Sequence, residues 1–466
     1  MNERRDVPVI LHSKKIMASY STGSFLYQLV EGVLVFMLFF YYETEIGLQS
    51  WMTGLALVIY AVYDAFNDPI VGYISDRPYK FTKKWGRRFP FMLFSYIPML
   101  IMFLLIFSPP VTSAQGNQWI IFGWLILTTC LFDTFESFFT INFFGLFPDK
   151  FRDGSERITA SALGVYIGFI GILFSFILPP MIIIFGQIDT YILMAWITVI
   201  MSVCGWVLTL PGLRDDKETL DHFIEHYDDT KRDSFFSAFS DALRQKNYRT
   251  LLIMYLFYQC LTITMIASLW YTVRFVLKAS PGTLVIIVLL LMVGGLISVP
   301  FWSKYSEKTG DSKKTMIISG FIMVITAGML TFIGASVIGY YVLLFIFGLG
   351  LGGFWVMLNP TFSDVIDESV IITEKRREGM YGGFRFFMSN VAKVILAIIL
   401  ATVHELTGFQ ERGESQSATA IFGIQLHQGL IPAVLLAIGL LIFWKFYDIT
   451  PDKSKMIKEK LIELKI

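Results

Sequence analysis

Charge is scarce in this 466-residue chain: Lys, Arg, Asp and Glu make up 16% of it, against 55% hydrophobic residues. A soluble protein of that composition would have to split into domains and give each a charged exterior, so an ordinary soluble reading is excluded. The net charge of +1 carries no electrostatic footprint for nucleic acid. Cysteine is nearly missing. Cys130, Cys204 and Cys260 lie far apart inside apolar runs without metal-ligand spacing, which excludes a disulfide framework and leaves small buried hydrophobes. The five histidines (His12, His222, His226, His404 and His427) sit at the ends of apolar runs or in loops. None pairs with a Ser or Cys nucleophile and none has zinc-type spacing, so neither an intramembrane hydrolase nor a metal enzyme is expected. There is no GxxxxGK[ST] loop, which argues against a built-in ATP motor, and no cofactor is expected.

What the chain has in abundance is long apolar runs. Many reach 20 residues or more, the length a helix needs to cross about 30 Å of hydrocarbon. Twelve spans are predicted at 17–42, 50–75, 89–109, 118–146, 158–185, 190–212, 249–273, 281–303, 315–335, 338–362, 380–406 and 424–447. The opening MNERRDVPVILHSKK is polar for too long to be a signal peptide, so the first run reads as a retained span. Lysine and arginine set the orientation. Alternate loops hold Arg77 to Arg88, Lys150 with Arg152 and Arg157, Lys304 to Lys314, and Lys375 to Arg377, whereas the opposite loops hold only Arg274, Lys278 and Arg412. Both termini are therefore expected in the cytoplasm.

The polar stretch 213–248 separates an N-terminal bundle at 1–212 from a C-terminal bundle at 249–447, with a tail at 448–466. Within it, SFFSAFSDALRQK (234–246) has the spacing of a helix lying on the membrane face. The loops after spans two and eight, SDRPYKFTKKWGRR and SEKTGDSKK, echo each other. The fold class expected is all-α: twelve transmembrane helices in two six-helix bundles, the layout of parallel-repeat carriers with a mid-membrane site.

Charges left inside the spans mark that site, because each costs about 2.5–3.5 kcal/mol at mid-bilayer. They are Glu31 in span one, Asp64 and Asp68 in span two, Asp133 and Glu136 in span four, and Arg385 and Lys393 in span eleven. Asp64 and Asp68 are spaced i, i+4, about 6 Å apart on one helix face. Two carboxylates so close cannot both stay ionised in a dry site without a cation, so Na⁺ or a shared proton is expected there, with Asn67 as a further oxygen ligand. Pairing with Arg385 and Lys393 alone would leave an excess of acid. Gln28 and Glu31 share a face of span one, and Asp133 and Glu136 repeat that spacing on span four. The glycines of GLGLGGFW (348–355) read as close helix packing, while Trp355 fits packing and ligand stacking equally well.

At YDAFNDPIVGYISDR…KKWGRRFPF (63–91) the chain resembles the glycoside–pentoside–hexuronide:cation symporter family of the major facilitator superfamily, typified by the melibiose permease. The resemblance recurs at LFDTFESFF (131–139) and at FWVMLNPTFSDVIDES…KRREGMYGG (354–383), and runs from Lys14 to span twelve. It implies that Asp64 and Asp68 bind the coupling cation beside Asn67, that Asp133 and Trp355 belong to the sugar site, and that Arg157 acts in gating. Departures cluster on the substrate side. Gln28 stands where the permease has a sugar-binding Asp, with Glu31 one turn away. Ser137 replaces a Trp of the sugar site, Cys130 a Thr beside the cation, and Asn390 a Lys, with Lys393 one turn on.

The resemblance thus implies symport of a sugar or glycoside-like solute driven by Na⁺ or H⁺, with a substrate site formed by Gln28, Glu31, Asp133, Glu136, Trp355, Arg385 and Lys393. The partners expected are that solute and the lipid bilayer, with no obligatory protein. A lysolipid or other amphipathic cargo, or a sensor that has lost transport, are the alternatives. The clusters Arg77–Arg88 and Asp364–Glu368 with Arg376 and Arg377 read as gate or topology elements.

Overall fold

Apolar runs of this length must become helices in a bilayer, because no water is there to satisfy an open backbone. The computed structural model describes residues 11–75, 77, 79–151, 153–216, 220, 242–373 and 378–464. Twelve of its helices are long and apolar enough to cross a membrane. In order they are Lys14–Ile46, Ser50–Ser75, Phe89–Ile106, Gln118–Lys150, Ser155–Ile182, Ile188–Leu213, Lys246–Val276, Gly282–Thr309, Ser312–Leu330, Val337–Ile372, Gly383–Thr407 and Ala418–Phe446. The chain divides into two compact units, Met1–Lys231 and Arg232–Ile466, each carrying six spans. Most of the expected surface helix at 234–246, together with His222, His226, Arg376 and Arg377, lies outside the described residues.

Several spans run further than their hydropathy suggests. Span one ends not at residue 42 but at Ile46, after a π-helical turn Tyr41–Ile46. That turn brings Glu43 and Glu45 into the fully buried interior. Glu45 is accommodated because Tyr191 donates its hydroxyl at 2.8 Å and the Gly186 N–H donates at 3.0 Å. Span four carries Pro148, Asp149 and Lys150 inside its helix, and the helix of span ten continues to Thr373, so Asp364, Asp367 and Glu368 are helical rather than loop residues. Span seven also leaves through a π-helical turn, Thr272–Val276. Polar N-caps open several of these helices. Ser13 accepts from Ile16 N, Asp153 from Ser155 N and Glu156 N, and Asp311 from Lys314 N.

Inside each unit the spans pack by one plan. Span one lies against spans five and six, span two against four, and span three against four and six. Seven lies against eleven and twelve, eight against ten, and nine against ten and twelve, the same list moved on by six. With no hydrophobic drive between helices in lipid, small residues let backbones touch. A Cβ added at Gly171 of span five would lie 2.6 Å from the Phe25 carbonyl oxygen of span one. A Cβ at Gly352 would overlap the Gly295 carbonyl, which assigns the glycine run before Trp355 to close contact between spans ten and eight. Each unit also ties the start of its first span to the acid just beyond its sixth. His12 Nε2 lies 3.0 Å from Asp216 Oδ2, and Asn247 Nδ2 donates to Asp448 Oδ1 at 2.7 Å.

Candidate functional site

Spans two and four face each other along a ladder of polar side chains, and its middle rungs are the acids singled out above. Pro69 sits inside span two. Having no N–H, it cannot bond to the carbonyl of Ala65, so the helix is loosened where Asp64, Asn67 and Asp68 project. Asp64 is 8% exposed, Asn67 7% and Asp133 3%, whereas Asp68 is half-buried. Asn67 donates one amide hydrogen to Asp133 Oδ2 at 3.0 Å and the other to Ser137 Oγ at 3.0 Å. Ser137 in turn donates to Asp68 Oδ1 at 2.7 Å. The Asp64 and Asp133 carboxyls share a hydrogen bond. The i, i+4 pair of span two is therefore joined to span four at both ends, Asp64 to Asp133 directly and Asp68 through Ser137. Above and below, Tyr63 and Thr134 meet at 2.7 Å, and Asn142 donates to Ser75 at 2.9 Å.

Tyr60, one turn before Asp64, was not picked out by the sequence, yet its hydroxyl lies in the combined field of Asp133, Glu31, Glu136 and Asp64. The signal was present: Tyr60, Asp64 and Asp68 form an i, i+4, i+8 row on one face. Tyr60 thus relates span one's Glu31 to the acids of spans two and four. Gln28, on the same face as Glu31, packs its side-chain root against Gly168 and Gly171 of span five. Glu31, Gln28 and Glu136 are half-buried.

The C-terminal unit supplies a separate group. Trp355 Nε1 donates to the Tyr258 hydroxyl at 2.7 Å, and the Tyr258 ring stacks on Phe354 with centroids 4.2 Å apart. Arg385 places its guanidinium over the rings of Phe362 and Tyr255, 4.8 and 5.2 Å from their centroids, and donates to Asn359 Oδ1 at 3.1 Å. A guanidinium held on aromatic faces is desolvated without being neutralised. Lys393 is half-buried two turns further along span eleven. Arg157 is exposed at the start of span five, and its Nε donates to the Phe151 carbonyl at 3.1 Å.

Chemically, the N-terminal unit offers carboxylate, hydroxyl and amide oxygens, all hard donors suited to a small monovalent cation or a proton. Among the described residues no three of His, Cys, Asp and Glu are grouped to hold a resident metal ion. A donor set of this kind can take up and release an ion.

Comparison with known proteins agrees. The family described as MFS/sugar transport protein matches residues 19–451. A glucuronide carrier protein homolog of Escherichia coli K12 is 23% identical over 452 residues, covering 96% of this chain and 94% of its own. An isoprimeverose transporter of Lactiplantibacillus pentosus is 22% identical, covering 95% and 90%. The sodium-dependent lysophosphatidylcholine symporter 1 of Gallus gallus is 21% identical, covering 96% and 88%. Among solved structures, the nucleoside transporter NupG superposes with a TM-score of 0.61 at 13% identity, covering 93% of this chain and 99% of that one. A bacterial homolog of the lysosomal transporter Spinster gives 0.63 at 12% identity, covering 97% and 99%. At that identity the superpositions establish the fold alone; the family match over residues 19–451 makes the protein a major-facilitator transporter and not an enzyme. Within that class, the chain belongs to the MFS/sugar transport protein family, which includes the glycoside–pentoside–hexuronide:cation symporters.

Proposed function

We propose that this protein is a symporter that couples a sugar or glycoside-like solute to Na⁺ or H⁺ by alternating access. The observation that carries the reading is the hydrogen-bonded run Asp68–Ser137–Asn67–Asp133–Asp64 on spans two and four, buried at every member but Asp68. Three carboxyls so close repel one another when ionised, and a cation relieves that repulsion. Asp64 and Asp68 with Asn67 take the ion. Asp133, Gln28, Glu31, Glu136, Trp355, Arg385 and Lys393 serve the solute. Arg157 serves the gate. Ion and solute then favour each other's binding by the same factor. A monovalent ion moving with the membrane potential supplies about 2.3 kcal/mol per 100 mV. The lysine and arginine distribution supports cytoplasmic termini and suits a cell-membrane carrier. The relatives named for a glucuronide carrier and isoprimeverose favour a carbohydrate cargo.

A second reading, an amphipathic cargo, is favoured by the relatives named as lysophosphatidylcholine symporters, which match nearly the whole chain. One experiment separates the two. Thermal unfolding of the purified protein is followed across sugars, uronides and lysolipids, with and without Na⁺, at two pH values, since a ligand of the native state raises the melting temperature by mass action. A rise with one sugar class that needs Na⁺ or low pH is expected. A response confined to lysolipids would replace the cargo, and a protein indifferent to every solute and ion would overturn symport.

A further inference from the structure

We infer that Ser137 is a positioning residue that ties the ion-binding carboxylate Asp68 to Asp133, so that ion and solute are sensed by one hydrogen-bonded unit. This rests on the symporter reading above and assigns a role to a residue outside that reading's ligand set.

The direction of each hydrogen follows from the donors available. Ser137 is 3% exposed and has a single hydroxyl hydrogen, which it gives to Asp68 Oδ1 at 2.7 Å. Its lone pairs are left to accept from Asn67 Nδ2 at 3.0 Å. Both amide hydrogens of Asn67 are then in use, one on Ser137 and one on Asp133 Oδ2. A hydroxyl that donates to a carboxylate becomes a better acceptor, by cooperative polarisation along the chain of bonds. When a cation neutralises Asp68, Ser137 loses that polarisation and holds Asn67 less tightly. Asn67 is then freer to serve Asp133, the acid at the other end of its amide. Occupancy of the ion site is thereby passed to the solute side through two side chains and no backbone movement.

The role is specific to a hydroxyl. Alanine neither donates to Asp68 nor accepts from Asn67, cysteine matches the size with a weak donor, and threonine restores both functions. The test uses the purified full-length protein and the ions themselves. Thermal unfolding is titrated with NaCl against choline chloride at fixed pH, and with pH at fixed salt, to give the midpoint of the active ion. Ser137→Ala should shift that midpoint roughly tenfold or more toward tighter binding, because the bond it removes is strongest on the ion-free carboxylate and a hydrogen bond to a charged group is of that size. Ser137→Thr should return it to within about twofold, and Ser137→Cys should not. In a double-mutant cycle, Asp133→Asn should alter the ion midpoint in the wild type and lose most of that effect in Ser137→Ala. A Ser137→Ala midpoint matching the wild type, or an Asp133→Asn effect of equal size in both backgrounds, overturns the tie while leaving symport intact. A wild type that answers to neither ion overturns the symporter reading, and the tie with it.

Discussion

His404 and His427 face each other through their Nε2 atoms at 3.0 Å, both rings fully buried in the C-terminal unit. Ser268 gives its hydroxyl hydrogen to the Thr264 carbonyl at 2.7 Å, so His427 Nδ1, 2.7 Å from Ser268 Oγ, must be the donor there. Neutral His427 then accepts at Nε2, and the hydrogen between the rings belongs to His404. Spans seven, eleven and twelve are joined by that one relay, with Phe409 stacked on His404 at 4.3 Å.

Taking away His427 strands the His404 N–H in an apolar interior. His427→Leu should cost about 1–3 kcal/mol of stability, the desolvation of one buried donor. His404→Leu combined with His427→Leu should cost less than the two single changes added, since neither half of the bond is then stranded. Unfolding in detergent checks this, and strictly additive losses would contradict the relay.

Asp68→Asn should leave a folded protein whose solute uptake no longer responds to Na⁺ or pH. The substitution keeps the size of the side chain and still accepts from Ser137, but it removes the charge that attracts the ion. Uptake into vesicles under an imposed ion gradient is the measurement, and ion-driven uptake at the wild-type level would refute the site.

Glu31→Gln should change the apparent affinity for solute by more than that for the ion. Glu31 shares with the carboxylates the field at the Tyr60 hydroxyl, whereas Asp64 acts on Asp133 itself. Paired titrations of uptake rate against solute and against ion distinguish the two, and the reverse ranking would move Glu31 into the ion site.

Asp215 lies just beyond span six and accepts from the backbone N–H groups of Arg88 and Phe89 at 3.2 and 3.3 Å, at the start of span three. Burial pushes its carboxyl up, and this outweighs the opposing pull of those two bonds and of Arg87 and Arg88. With the folded value above the unfolded one, this group's contribution is greatest in acid and shrinks as pH rises through the folded value. Asp215→Asn keeps an acceptor and sheds the charge, so at neutral pH it should be no less stable than wild type by more than about 0.5 kcal/mol. Asp215→Ala should lose about 1–3 kcal/mol with two donors orphaned. Melting temperatures of the three proteins across pH decide it, and equal losses for Asn and Ala would refute the account.

All twelve spans were legible because hydropathy acts locally, one helix length at a time. The ends were less so. Glu43 and Glu45 read as the start of a loop, since no window along the chain can know that Tyr191 and Gly186 will meet Glu45. The acids of spans two and four were legible as costly charges, but their partnerships were not. Spacing within span two pairs Asp64 with Asp68, whereas the bond to Asp133 depends on how two helices register against each other. Ser137 was visible only as a departure from a family pattern. Its hydrogen bonds need the fold.

The π-helical turn that closes span one changes where that helix is fastened. A π turn is wider than an α turn and re-aims the side chains it carries. Over Tyr41–Ile46 it sets Glu43 and Glu45 inward, beyond the point where hydropathy ends the span. Glu45 is met there by the Gly186 N–H and the Tyr191 hydroxyl, at the start of span six. The end of span one is thus latched to its neighbour by a buried carboxylate, where a plain α-helical end would have run out into a loop.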